Sequence, residues 1–182
     1  MQIDSGAGTF DFVRIIPKTE KTIPFSLSLS YNQENETCGG KTMEKLKICY
    51  ENYLTEAEKV WKNRSAWDGA LGIGSSSKDH PCHIAFYESV ANWVSDFLKK
   101  SPTEETAEAA MAFVLQTSEM HKGEFPYWTL FAAHGLMRPL VSLVSPRFAG
   151  EMRAWYDAKL LRRDRLPVHK ELYKLLKKRE RA

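Results

Sequence analysis

The sequence predicts an α+β fold that is predominantly α: a short N-terminal β-hairpin packed on a bundle, or short solenoid-like stack, of about six helices. Three observations predict it. Apolar residues recur at helical spacing in long segments from residue 42 to the C-terminus. One strict period-two run, residues 23–31, stands upstream of them. Ser, Thr, Asp or Pro stands at the start of most helical segments, where free amides need acceptors and Pro gives up no hydrogen bond.

The hairpin comes first. Ile23, Phe25, Leu27, Leu29 and Tyr31 alternate with Pro24, Ser26, Ser28 and Ser30, which puts the apolar side chains on one face of a strand. Residues 9–16 (TFDFVRII) suit a partner strand, and Pro17 to Thr22 the connection. A lone two-stranded hairpin is marginal in water, so its apolar face must pack on the helices or receive a strand from a partner. Residues 1–41 thus read as hairpin and polar loop, and residues 42–182 as a helical domain forming one compact unit with them.

The helices follow in order. Thr42 is the expected cap of the first, whose stripe is Leu46, Cys49, Tyr50, Tyr53, Ala57, Val60 and Trp61. Gly69, Gly72, Gly74 and Ser75 to Ser77 mark a loop. Asp79 and Pro81 open the most regular helix, with Phe86, Tyr87, Val90, Trp93, Val94, Phe97 and Leu98 on one face. Ser101, Pro102 and Glu104 read as the start of another, running to a stop at Gly123. Pro126 opens an apolar helix to Val144 that Pro139 must kink or split, with Gly135 offering a close approach. Ser145-Pro146 starts the next, with Phe148, Met152, Trp155 and Tyr156 inward. The last begins at Pro167, with Val168, Leu172, Leu175 and Leu176 inward and Lys170, Lys174, Lys177 and Lys178 outward.

Composition excludes several classes. At 182 residues, 43% hydrophobic and 27% charged, the chain buries a core without staples and is neither disordered nor collagen-like. No apolar run reaches transmembrane length, and Met1 to Thr9 lacks the pattern of a signal peptide. Three cysteines do not make a secreted disulfide framework. The expectation is a cytoplasmic protein without a membrane partner. The net charge of +3 is unevenly spread. Residues 145–182 hold 12 Lys and Arg against 5 acids, and residues 1–144 hold 14 against 18. Such a tail fits an anionic partner, either nucleic acid or an acidic protein surface. Cations in a last helical turn are also favoured by the helix dipole without any partner.

Candidate chemistry is sparse. In Asp79-His80-Pro81-Cys82-His83, Cys82 falls in a first helical turn, where free amides stabilise a thiolate. Adjacent helical residues point about 100° apart, so His83 is a poor base for it. Zinc would need Cys38 and Cys49 together with His80 and His83, and no tight cysteine knuckle joins them. The loop from Gly69 to Lys78 follows a helix rather than a strand and lacks Walker spacing. Neither a cofactor nor a metal is expected. Of five tryptophans, Trp61, Trp93 and Trp155 fall on apolar stripes, while Trp67 and Trp128 flank loops.

Phe10 to Pro17 (FDFVRIIP) resembles a strand ending in some small phage and plasmid proteins with ferredoxin-like domains. The likeness covers eight residues, and the tryptophan-rich motif of that group does not follow. It carries over no residue and no fold; it implies only a viral or mobile-element origin.

The expectation is therefore a non-enzymatic binding protein that holds nucleic acid through Arg162, Arg163, Arg165, Lys170, Lys174, Lys177 and Lys178, with Arg147 and Arg153 flanking. Two alternatives stand beside it. One is a protein-interaction module that binds or blocks a protein partner. The other is a small enzyme using Cys82.

Overall fold

The computed structural model describes residues 38–63, 65, 80–121, 128–160 and 165–182. All fall within the second of the chain's two units, Glu34–Ala182. Among the described residues there are six α-helices and one 3-10 segment: α1 (Cys38–Lys62), α2 (Pro81–Lys99), α3 (Glu104–Met120), α4 (Trp128–Ala133), the 3-10 segment (His134–Ser142), α5 (Pro146–Lys159) and α6 (Pro167–Arg179).

The α+β expectation is corrected to a helical fold, because no strand occurs among the described residues. The hairpin assigned to residues 9–31 lies outside them. The physical reason is that period-two patterning specifies a face, not a pairing partner. The contacts among the described elements are all between helices.

Helix α1 forms because Met43, Leu46, Tyr50, Tyr53 and Ala57 repeat at three- and four-residue steps, and all five are buried. It starts at Cys38, so Thr42 lies inside the helix rather than capping it. The Thr42 carbonyl instead accepts the Trp93 indole N–H at 2.8 Å, pinning α1 to α2. The two helices run antiparallel: Thr42 meets Trp93, Tyr50 meets Phe86, and Tyr53 meets His83.

His80, not Asp79, is the N-cap of α2, accepting from the Cys82 amide, with Pro81 at the first helical position. Phe86, Val90, Trp93, Val94 and Phe97 are buried as their spacing requires. The expected start at Ser101 is displaced: Ser101 takes a left-handed φ of 50° that ends α2, and Thr103 caps α3. Ser145 caps α5 as expected, and its amide and hydroxyl both donate to Glu108, at 2.8 and 2.5 Å, tying α5 to α3.

The centre of the fold is the 3-10 segment, which packs against α2, α3, α4 and α6. Nine residues is long for this geometry. Pro139 cannot donate to the Gly135 carbonyl as an α-helix would need. That carbonyl accepts from Arg138 Nε at 2.9 Å instead. The chain tightens from His134 onward rather than kinking at the proline. Gly135 permits the close approach of α6: a Cβ there would lie 2.8 Å from Val168 Cβ. Met137 and Leu140 from the segment join Leu172 and Leu176 from α6, all fully buried. Each such side chain contributes roughly 1.5–3 kcal/mol by leaving water.

Candidate functional site

The cationic C-terminal segment sorts into three groups. Lys170, Lys174, Lys177 and Lys178 are exposed, and none forms an ion pair among the described residues. They share the outer face of α6 because Leu172 and Leu176 turn the opposite face inward. Arg162 and Arg163 lie outside the described residues.

Arg165 belongs to a different group altogether. It is only 7% exposed, so it does not stand beside the lysines as a surface cation. Its Nε donates to the Leu160 carbonyl at 3.0 Å. Its Nη2 donates to the Tyr156 carbonyl at 3.0 Å and to Asp157 Oδ1 at 2.8 Å. The guanidinium also lies over the Tyr173 ring, 4.6 Å from the centroid. The Leu160 carbonyl caps the end of α5, the Tyr156 carbonyl takes Arg165 as a second donor beside the Leu160 amide, and a cation is favoured at that helix end. The hydrogen bond from Arg165 holds the Asp157 carboxyl below its ordinary range.

Four further arginines are engaged, while Arg181 is exposed near the C-terminal end of the segment. Arg153 pairs with Glu180, Arg138 with Glu171 and Arg147 with Glu151. Arg179 Nε donates to the Val144 carbonyl at 2.7 Å. The lysines of α6 thus form an exposed cationic face among the described residues.

Beside that face lies a groove of about 650 Å³ that sequence reasoning missed. Ala91, Val94 and Leu98 of α2, Leu136 and Pro139 of the 3-10 segment, and Leu175 of α6 line it. Leu175, expected inward, is 40% exposed. Arg138 is the charged residue of the lining, and on α6 Lys178 stands one turn beyond Leu175 and Glu171 one turn before it. The one available signal was Leu175 itself, an apolar residue one position off the Leu172–Leu176 pair.

A second constellation surrounds Cys82. Its Sγ lies 3.1 Å from His80 Nδ1 and 3.6 Å from His83 Nδ1. His83 also meets the Tyr53 hydroxyl at 3.0 Å. The nearer imidazole is therefore His80, two residues back across the helix start, rather than His83. Burial first, and then the Glu56 charge, push the Cys82 thiol up; the Cys82 and His83 amides oppose them. A cavity of about 200 Å³ adjoins the thiol. Among the described residues, no group of three or more His, Cys, Asp or Glu is placed to hold a metal ion. Cys38 begins α1, and the glycine-serine loop lies outside the described residues.

Ser118, His134 and Tyr156 form a linked array that resembles a nucleophile and its base. His134 Nε2 meets Ser118 Oγ at 2.9 Å, and Nδ1 meets the Tyr156 hydroxyl at 2.8 Å. All three are 0% exposed, so no substrate reaches them. Ser118 spends its proton on the Leu115 carbonyl, at 2.7 Å. Burial, and then the neighbouring His169, lower His134 to about 3. The array is a neutral, satisfied polar core.

No described helix is long and apolar enough to cross a membrane. No protein-family model matches the chain, and neither a curated protein nor a solved structure is similar to it.

Proposed function

We propose that the chain is a protein-interaction module whose groove between α2, the 3-10 segment and α6 takes an acidic, amphipathic helix of a partner protein. The observation that carries this reading is the groove itself. Leu98, Leu136 and Leu175 retain exposed apolar surface in one depression, although Leu172 and Leu176 beside them are fully buried. A contiguous apolar depression with a polar rim is characteristic of binding surfaces. An amphipathic helix laid in such a groove uses apolar anchors three and four residues apart. The unpaired lysines of α6 favour acidic residues on its flank and speed encounter.

A designed peptide with leucines at helical spacing and a glutamate flank tests this by fluorescence anisotropy. Micromolar binding is expected, with at least a tenfold loss on Leu136→Asp or Leu175→Glu in proteins that keep their helical circular dichroism. Equal binding by the variants, or no binding at low salt, overturns the proposal.

The exposed row of Lys170, Lys174, Lys177 and Lys178 favours a second reading, nucleic-acid binding. With Arg165 committed internally, four phosphate contacts give a log–log salt slope of about −3.6 on B-DNA. Retention on DNA with that slope, insensitive to the uncharged change Leu175→Ser, favours this reading over the groove.

A further inference from the structure

The start of α6 differs from those of α3 and α5. Thr103 and Ser145 cap those two helices with hydroxyl oxygens, but the residue in that position of α6 is Leu166, whose side chain has no acceptor. His169 takes over from inside the first turn. Its Nδ1 accepts the Leu166 amide at 3.1 Å, and its Nε2 lies 2.7 Å from the Phe131 carbonyl of α4. An amide donates and a carbonyl accepts, so the ring carries its one proton on Nε2 and a lone pair on Nδ1. This neutral tautomer ties the start of α6 to its own cap and to the core at once.

The imidazole is buried, yet Leu166 and Lys170 on either side of it are exposed, so it sits within one turn of solvent. The groups facing it do not welcome a second proton. The 3-10 segment presents the His134 ring at 5.6 Å, and α5 presents the Tyr156 ring at 6.0 Å. The chain before α6 adds the Arg165 guanidinium, a positive charge. From α4 come the Phe131 carbonyl and its ring, 5.8 Å away. On α6 itself Lys170 is a cation, and Glu171 is drawn to Arg138. Both nitrogens of His134 are engaged by Ser118 and Tyr156. Among the described residues, no carboxylate pairs with either ring. Burial lowers His169 below its ordinary range; the Phe131 carbonyl opposes this, and Arg165 adds to it.

A proton on Nδ1 sets two donors, the imidazolium N–H and the Leu166 N–H, against each other. The charged ring therefore fits when the first turn lets go and not before. We propose that His169 is an acid-operated latch, whose proton uptake releases the first turn of α6 from α4 and the 3-10 segment while α2 stays folded. The open turn takes its proton near pH 6.5 and the closed turn resists it, so the latch holds above that pH and loosens as pH falls. The rest of α6 remains held by buried Leu172 and Leu176 and by Arg179 on the Val144 carbonyl. Release also draws Val168 away from Gly135, a residue of the groove lining, so acid reshapes the groove. That consequence rests on the groove reading; the latch itself does not.

Hydrogen exchange by mass spectrometry on the full chain at pH 7.5 and 5.0 tests this, once the intrinsic pH dependence of exchange is removed. The amides to follow are those of residues 170–173, whose helical bonds run to the first turn, beginning with Lys170 on the Leu166 carbonyl. Their opening equilibrium is expected to rise at least fivefold at pH 5.0. The ceiling is about 30-fold, for one histidine that takes a proton at pH 6.5 in the open state alone. Residues 86–97 of α2 should keep their protection. His169→Gln supplies a neutral acceptor and donor but takes no proton, and should abolish the rise. A smaller rise, an equal rise in α2, or the same rise in His169→Gln overturns the latch. Where glutamine fails to hold the turn at pH 7.5, the wild-type His169 ring resonance decides by NMR. It should shift together with the loss of protection at 170–173; a titration that leaves those amides protected overturns the proposal.

Discussion

Arg165→Ala removes a buried cation that holds the end of α5 and the start of α6 together. The side chain spans three acceptors, the Leu160 and Tyr156 carbonyls and Asp157, and covers the Tyr173 ring. Hydrogen bonds from a charged donor are worth about 1.5–3 kcal/mol each when buried. The two to main-chain carbonyls count at the lower end, because truncation admits water to a helix terminus. The bond to Asp157 adds less than about 1 kcal/mol, since that carboxylate is half exposed. The expected loss is about 3–4 kcal/mol, a large share of the ~5–15 kcal/mol that holds a typical domain folded. Urea unfolding followed by far-ultraviolet circular dichroism measures it. With a slope near ~2 kcal/mol per molar, the midpoint falls by about 1.5–2 M. Arg165→Lys should recover less than half of the loss, because one ammonium cannot reach both carbonyls and the carboxylate in a fixed fork. A loss under about 1 kcal/mol, or full recovery by lysine, would refute the assignment of Arg165 as an internal clamp and return it to the surface.

Two further predictions concern the core. His134 is neutral when folded and lowered to about 3, whereas the unfolded chain takes up its proton near pH 6.5. The unfolded state therefore binds the proton first on acidification, so this contribution is complete above pH 6.5 and is lost as pH falls toward 3. The slope is at most about 1.4 kcal/mol per pH unit. Urea midpoints from pH 7.5 to 4 should show it, and His134→Gln should flatten it; the same slope in both proteins would place the acid sensitivity elsewhere. Gly135→Ala forces a Cβ to 2.8 Å from Val168 Cβ and should cost about 1–3 kcal/mol by thermal or urea unfolding. Because the opposing atom is itself a Cβ, Val168→Ala should fail to restore stability. Restoration would show that the outer methyls, not the backbone spacing, set the contact.

What the sequence revealed and what it withheld divide along a physical line. Helical segments were legible wherever burial is decided within one helix. The period of Phe86, Val90, Trp93 and Phe97 names a buried face whatever packs on it, and all four are buried. Ser145-Pro146 announces a helix start from backbone chemistry alone. Properties that depend on a second element were not legible. Arg165 and Lys170 look alike in a charge count, yet one is 7% exposed and the other faces solvent. The difference arises because the Arg165 side chain reaches the C-terminal carbonyls of α5, while Lys170 lies on the outer face of α6. Leu175 and Leu176 look alike in a hydropathy pattern, yet Leu176 meets the core and Leu175 lines an open groove. That His80 is the imidazole nearest Cys82 was not legible either, because the 100° rotation applies only between residues inside the helix. A capping residue sits outside that rotation, with an extended backbone of ψ 136°, and can fold back on the first turn. The same reasoning underlies the proposed function. The charged residues absorbed by carbonyls and carboxylates are the ones the fold needs. Among the described residues the lysines of α6 and the leucines of the groove are left out of such contacts, and the proposed partner is placed there for that reason.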